Sequence, residues 1–219
     1  GLLTATTYNL VTGEVAGALG AGTANVTGAV SLTGTTAATT LNITTGGVLT
    51  LGSAERIGAT TLLDVNAGEL ALGAFDNTVG GLTLQGGGLL SGTGTLTAAT
   101  YALQGGTVTA NLGAGTANVT LGNTLLNGLL GAAAVNINSG SLVLGGANRL
   151  DSGATVTLGG GTLDSGANAT AVTTLQLNSG LVTGAGLLTA TTYNLVTGEV
   201  AGALGAGTAN VTGAVSLTG

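Results

Sequence analysis

GLLTATTYNLVTGEVAGALGAGTANVTGAVSLTG occupies Gly1–Gly34, and the same stretch returns unchanged at Gly186–Gly219. The offset between the two copies is 185. A match of that length does not arise by chance. The chain therefore reads as one full tandem unit, residues 1–185, followed by the start of the next, residues 186–219. Tandem repeats of this kind build quasi-one-dimensional objects in which each repeat contacts its neighbours.

A weaker repeat lies inside the first. GTLTAATYALQGGTVTANLGAGTANVT, from Gly94, aligns with GLLTATTYNLVTGEVAGALGAGTANVT, from Gly1, at an offset of 93. Tyr8, Tyr101 and Tyr193 then share one position. Gly47–Ile57 (GVLTLGSAERI) aligns with Ser141–Leu150 (SLVLGGANRL), so Arg56 and Arg149 are also equivalent. The unit is two diverged halves, about 1–93 and 94–185.

Local patterning points to strands. LTLQ at Leu82, TVTA at Thr107, VNIN at Val135 and SLVLG at Ser141 alternate, and each is bounded by Gly, Asn, Ser or Asp. That is how short strands between tight turns look in sequence. Gly and β-branched residues recur too often for long helices. Strand-like segments return at a spacing near 20, with expected starts at Leu41, Leu62, Leu82, Leu96, Thr116, Val135, Val156 and Leu175.

Such a spacing suits one coil of a right-handed parallel β-helix, a β-solenoid with about ten coils per 185-residue unit. At about 4.8 Å per coil, one unit advances roughly 48 Å and the whole chain roughly 57 Å. Gly supplies the positive φ that corners need. Asn and Asp tolerate the same region. Proline would delete ladder hydrogen bonds between coils, and there is none. An antiparallel sandwich or barrel is the rival fold. It closes on itself, whereas here one unit runs into the next without a linker.

Composition limits what the chain can do. Only 5% of the residues are charged. Typical soluble domains carry about 25%. Aromatics are reduced to three Tyr and Phe75, so the core must be thin and built from Leu, Val, Ile and Ala. The net charge is −6, with Arg56 and Arg149 the only cations. No basic patch can neutralise phosphates, so nucleic-acid binding is excluded. Binding of a basic helix to an anionic membrane fails for the same reason.

The mean hydropathy of +0.61 does not signal a membrane span. A spanning helix needs about 20 consecutive apolar residues. The longest apolar stretch, near Leu125–Val135, is interrupted by Asn127. Four aromatics cannot form the girdles of a membrane barrel. Cys is absent, which removes any disulfide framework and suits export in an unfolded state. With no signal peptide and no initiating Met, the sequence reads as a piece of something longer.

At two places the segments are recognisable. Gly47–Gly73 (GVLTLGSAERIGATTLLDVNAGELALG) and Ser141–Gly166 (SLVLGGANRLDSGATVTLGGGTLDSG) resemble the autotransporter-associated β-strand repeat. That repeat occurs in autotransporter passengers and filamentous-haemagglutinin-like bacterial adhesins. Its form is a Gly-x-Leu-x-Leu strand, an Ala-Asn-like corner, Thr-rich and Asn-Ala-Gly segments, then Leu-x-Leu again. The resemblance implies a secreted or cell-surface β-helix of a bacterial envelope. It transfers no catalytic residue.

Little chemistry is available. His, Cys, Lys, Trp and Met are all absent. That removes the usual nucleophilic triads, zinc sites and Schiff-base lysines. Glu69 with Asp76, or Asp64 with Glu69, could in principle form a glycosidase-like carboxylate pair. Their equivalents in the other half include Thr157 for Asp64 and Thr162 for Glu69, the behaviour of ordinary surface. Arg56 and Arg149 lie about five coils, or roughly 24 Å, apart, too far to share a small ligand. Each is expected to cap a corner and pair with a nearby acid, Glu55 or Asp151.

Remaining motifs are weak. GGGTLDSGA at Gly159 has the wrong spacing for a calcium-binding nonapeptide. Asn-x-Thr sequons at Asn25, Asn42, Asn118, Asn168 and Asn210 follow from composition. The tyrosines are expected to pack against an apolar face with the hydroxyl at the surface; a sugar-stacking platform is the functional alternative. T-x-T occurs at Thr4, Thr95, Thr107 and Thr155 but does not recur once per coil.

The expectation is a non-enzymatic structural segment of an extracellular bacterial fibre or adhesin stalk, stacking end to end with copies of itself or adjacent repeats. No catalytic, cofactor or metal residues are assigned. Host-cell or matrix ligands, if any, would engage other parts of the parent chain. The alternatives are a solenoid binding module presenting a Thr-rich face to polysaccharide or ice, and a polysaccharide-degrading β-helix. The latter lacks the cluster of basic and acidic groups that such a groove requires.

Overall fold

A computed structural model describes residues 1–219. Every element is a strand, and every ladder pairing is parallel. No helix is long and apolar enough to cross a membrane. The chain winds as a β-solenoid of about twelve turns. Each turn contributes up to three strands, one per face. In the first turn these are Leu2–Leu3, Thr7–Leu10 and Gly13–Val15, here called the first, second and third faces.

The second face defines the register. Tyr8 pairs with Ala24, then Leu41, Leu63, Leu82 and Tyr101. From Tyr101 the column continues through Ala117, Val135, Val156, Leu175, Tyr193 and Ala209. Ten steps separate Tyr8 from Tyr193, and five separate Tyr8 from Tyr101. The repeat equivalences therefore fall in one column. Turn length is not constant: the turn from Tyr8 to Ala24 is among the shortest and that from Leu41 to Leu63 is the longest.

Alternation along each strand puts every second side chain inside. Ala24, Val26, Leu41 and Ile43 are at most 1% exposed, while Asn25 and Asn42 between them face outward. The buried apolar residues form one cluster from Tyr8 to Val200, so a single core runs nearly the whole axis. The third face slips relative to the second. Val15 pairs with Leu32, but its equivalent Val108 traces back through Leu90, Leu70 and Leu49 to Val30. The slip is two positions per half. An even slip keeps inward residues inward, so the core survives it.

The strand starts expected at Leu41, Leu62, Leu82, Val135, Val156 and Leu175 lie on the second face. Leu96 does not. It belongs to Thr95–Ala98 on the first face, and the second-face strand of that turn begins at Thr100. Thr116 is on the second face but points outward; Ala117 occupies the core position.

The first face is the least regular. Its inward column runs Leu3, Leu19, Thr36 and Ile57. It then resumes as Asn77, Leu96, Leu112, Leu130 and Leu150, and finally as Thr170, Leu188 and Leu204. The backbone ladder breaks after Ile57 and after Leu150. At the first break Asn77, 1% exposed, supplies the missing rung. Its Oδ1 accepts from the Ile57 N–H at 3.0 Å, and its Nδ2 donates to the carbonyls of Ile57 (3.1 Å) and Thr78 (2.9 Å). Thr170 holds the equivalent place at the second break, and its buried hydroxyl has no partner.

Candidate functional site

The three carboxylates considered as acid pairs sit on three different parts of the turn. Asp64 lies on the second face, Glu69 on the third, and Asp76 at the corner before the first-face strand Asn77–Val79. Each is bound by a neighbouring turn. Asp64 accepts from Gln85 Nε2 at 2.9 and 3.1 Å. Glu69 accepts from the Ser91 hydroxyl, and Asp76 from the Thr95 N–H at 2.7 Å. No cluster of three or more His, Cys, Asp or Glu side chains occurs. Asp164, in the Gly159 stretch, closes its own turn by accepting from the Gly166 N–H.

The arginines do not pair with the acids expected, and only Arg56 caps its corner. Arg56 donates to the carbonyls of Ala54 (3.1 Å) and Thr33 (3.3 Å). The Glu55 carboxylate instead accepts from the N–H and hydroxyl of Thr78. Asp151 is turned towards the Gly153 N–H, and the buried Nε of Arg149 has no partner. The physical reason is local. Glu55 and Asn148, which precede the arginines, are left-handed corner residues with φ of 52° and 51°. The first of these corners leaves carbonyls close at hand for the guanidinium of Arg56.

The tyrosines point inward, which corrects the expectation of a surface hydroxyl. Tyr101 is 0% exposed and Tyr193 2%. The Tyr101 hydroxyl accepts from the Ala98 N–H at 2.9 Å and faces the carbonyls of Leu96, Gly113 and Ala114. Tyr193 repeats this with Ala190, Leu188 and Gly205. Each ring ties the corner between the first and second faces from within and offers no platform to a sugar. Space comes from the next turn, where the paired residue is Ala24, Ala117 or Ala209. It also comes from Gly115: a Cβ there would lie 2.3 Å from the Ala98 carbonyl and 2.8 Å from the Tyr101 ring.

The outward rows of the second face are the most ordered surface of the molecule. One row carries Thr7, Thr23 and Thr40, then Thr100 and Thr116, then Thr155, Thr174, Thr192 and Thr208. Leu62, Gly81 and Ala134 interrupt it. The adjoining row carries Asn9, Asn25 and Asn42, then Asn118 and Asn136, then Asn194 and Asn210. Its amides bond along the axis, Asn25 to Asn9 at 3.2 Å, Asn42 to Asn25 at 2.9 Å and Asn136 to Asn118 at 2.9 Å. Stacked amide ladders of this kind are a structural device.

A T-x-T search finds only Thr155 of this row, because the adjoining row is mostly Asn. The signal present in the sequence is T-x-N followed by an apolar residue: TYNL, TANV, TLNI. It also explains the sequons. Four of the five, at Asn25, Asn42, Asn118 and Asn210, are ladder asparagines followed by Val or Ile and then Thr. Asn168 stands apart and donates to the Leu144 carbonyl.

Exposed apolar side chains occur along the shaft, with Leu62 59% and Leu121 60% exposed, a recess of about 490 Å³ lies beside Leu129, Asn148 and Asp151, and the two ends are exposed as well. Leu2 and Leu3 are 65% and 59% exposed, and Val211 and Leu217 are 58% and 63% exposed. A recess of about 470 Å³ opens at the first turn, lined by Leu3, Tyr8, Leu10, Val15 and Leu19 among others. No known family, curated protein or solved structure matches the chain.

Proposed function

We propose that this chain is a structural segment of an extracellular bacterial β-helical fibre or adhesin stalk, continuing end to end into further units. One observation carries the reading: a single apolar core runs along about twelve stacked turns. The resemblance of Gly47–Gly73 and Ser141–Gly166 to the autotransporter-associated repeat supplies the bacterial and cell-surface part. The work is mechanical. Stacked coils give length and stiffness, and near-continuous ladders leave a protease little extended backbone to engage. Negative-stain electron microscopy of the chain is expected to show rods that lengthen into fibres with concentration. Discrete, compact particles at every concentration would overturn the proposal.

A second reading, a binding face for polysaccharide or ice, is favoured by the threonine row. Its hydroxyls and methyls repeat at the turn spacing of about 4.8 Å, and unlike the Asn amides they are not tied to one another. Against it, the row breaks at Leu62 and Gly81 after three turns and again at Ala134. On the shaft reading the chain shows no thermal hysteresis and does not sediment with cellulose or chitin. A clear signal in either assay that is lost in Thr155→Lys/Thr174→Lys would move the binding face ahead.

A further inference from the structure

The two ladder breaks on the first face share a backbone pattern and differ in side chains. At each, the rung to the preceding turn is intact. The Thr36 N–H donates to the Arg56 carbonyl and the Gly58 N–H to the Thr36 carbonyl. Likewise the Leu130 N–H donates to the Arg149 carbonyl and the Asp151 N–H to the Leu130 carbonyl. Towards the following turn, the Glu55 N–H reaches the Asp76 carbonyl and the Asn148 N–H the Ala169 carbonyl, both at 3.0 Å. Bonding directions alternate along a parallel strand, so Ile57 and Leu150 each turn an N–H and a carbonyl towards the break.

The first break is closed from both sides. Inside, the Asn77 carboxamide meets both groups of Ile57. Outside, the Glu55 carboxylate accepts from the N–H and hydroxyl of Thr78. The second break has neither closure: Thr170 stands for Asn77, Asn148 for Glu55 and Ala171 for Thr78. Leu150 is 2% exposed, yet neither its N–H nor its carbonyl has a hydrogen-bond partner. The Thr170 hydroxyl is buried and unpartnered as well. Buried polar groups are rarely left so, and here they occur together at one break. A recess of about 490 Å³ opens at the same place, with Asn148, Leu150 and Ala171 in its wall. No recess opens at the first break. Sites for small molecules span about 300–1,000 Å³.

Leu150 offers one donor and one acceptor side by side. The matching group carries an acceptor and a donor on the same side of one carbon. A primary carboxamide has that arrangement, and Asn77 shows it working on Ile57. A trans secondary amide points its N–H and C=O in opposite directions, and a carboxylate has no donor. We propose that the second break is a binding site for a small molecule carrying a primary carboxamide. The carboxamide bonds to Leu150 as that of Asn77 does to Ile57. The apolar remainder lies against Ala171 and Leu129, which is 41% exposed at the recess.

The test is a titration of the isotope-labelled whole chain with acetamide, followed by NMR. The Leu150 N–H signal should shift and saturate. The Ile57 N–H, already met by Asn77, is the internal reference and should stay in place. N-methylacetamide and acetate should leave both unmoved. Thr170→Asn supplies the carboxamide from within, so it should abolish the response at Leu150 and raise the urea midpoint. Asn148→Glu/Ala171→Thr rebuilds the outer closure without touching the core, and should block acetamide even if Thr170→Asn does not fold. The tripeptide Gly-Gln-Gly presents the same group on a polypeptide. Binding no tighter than that of acetamide supports a small molecule, and clearly tighter binding would overturn that choice in favour of a glutamine side chain. No saturable shift at Leu150, or an equal shift at Ile57, would overturn the site altogether.

Discussion

Asn77→Ala is expected to destabilise the fold by about 3 kcal/mol, because it leaves two buried backbone groups unmet at roughly 1–3 kcal/mol each. Asn77 sits where the first-face ladder breaks, and its amide stands in for a peptide group. It takes the Ile57 N–H and gives to the Ile57 carbonyl. Leucine, which fills most of this column, would pack but could not answer either group. The other half of the repeat provides the control. Thr170, 2% exposed, holds the equivalent position with an unpartnered hydroxyl. Thr170→Val keeps the shape and removes a desolvated polar atom, so a gain of about 1 kcal/mol is expected. Urea melts of the two variants should move in opposite directions. If both lose stability equally, the rung-replacement account of Asn77 fails, and burial alone governs the column.

The sequence made the large-scale order legible and the small-scale order only partly so. The offsets of 185 and 93 can be read directly. They correspond to ten and five turns because Tyr8, Tyr101 and Tyr193 fall in one column. The placement of Leu96 was not legible. Alternation such as TLTA at Thr95 and LTLQ at Leu82 looks alike on the first and second faces, and period two identifies a strand without saying which face it lies on. The threonine row was hidden by unequal turns, such as the short one from Tyr8 to Ala24 and the long one from Leu41 to Leu63, which smear any search at a fixed spacing. Asn77 was invisible for a different reason. A buried Asn in a thin core is recognised only once its partner, Ile57 in the previous turn, is known.

The inward tyrosines had a readable signal, the alanine one short turn later (Ala24, Ala117 and Ala209), and their removal should have the second large effect. Tyr101→Ala is expected to cost about 3–5 kcal/mol, the range for emptying a core site of a large aromatic. Tyr101→Phe isolates the hydroxyl. The ring stays, but the Ala98 N–H loses its acceptor and a carbonyl among Leu96, Gly113 and Ala114 loses its donor. A loss of about 2 kcal/mol follows, within the range for stranded buried groups. Tyr8→Phe should cost less, because Tyr8 lies in the first turn and its hydroxyl is only part-buried. In a solenoid each turn is held by its neighbours, so a lesion at the sixth turn, where Tyr101 lies, weakens both halves, whereas one at the first turn frays an end. The hydroxyl also fixes a pH dependence. Burial raises the Tyr101 phenol above its ordinary value of 10.0, against the opposing pull of its bonds to Ala98 and Gly113. The folded chain then holds that proton more tightly than the unfolded chain. Its contribution to stability is complete below the ordinary phenol value and is lost as pH rises through the folded one. Tyr101→Phe should remove that part of the alkaline decline while lowering stability at neutral pH. A Tyr101→Phe chain that melts like the parent at pH 7 would show that the corner is held by its backbone ladder and not by the phenol.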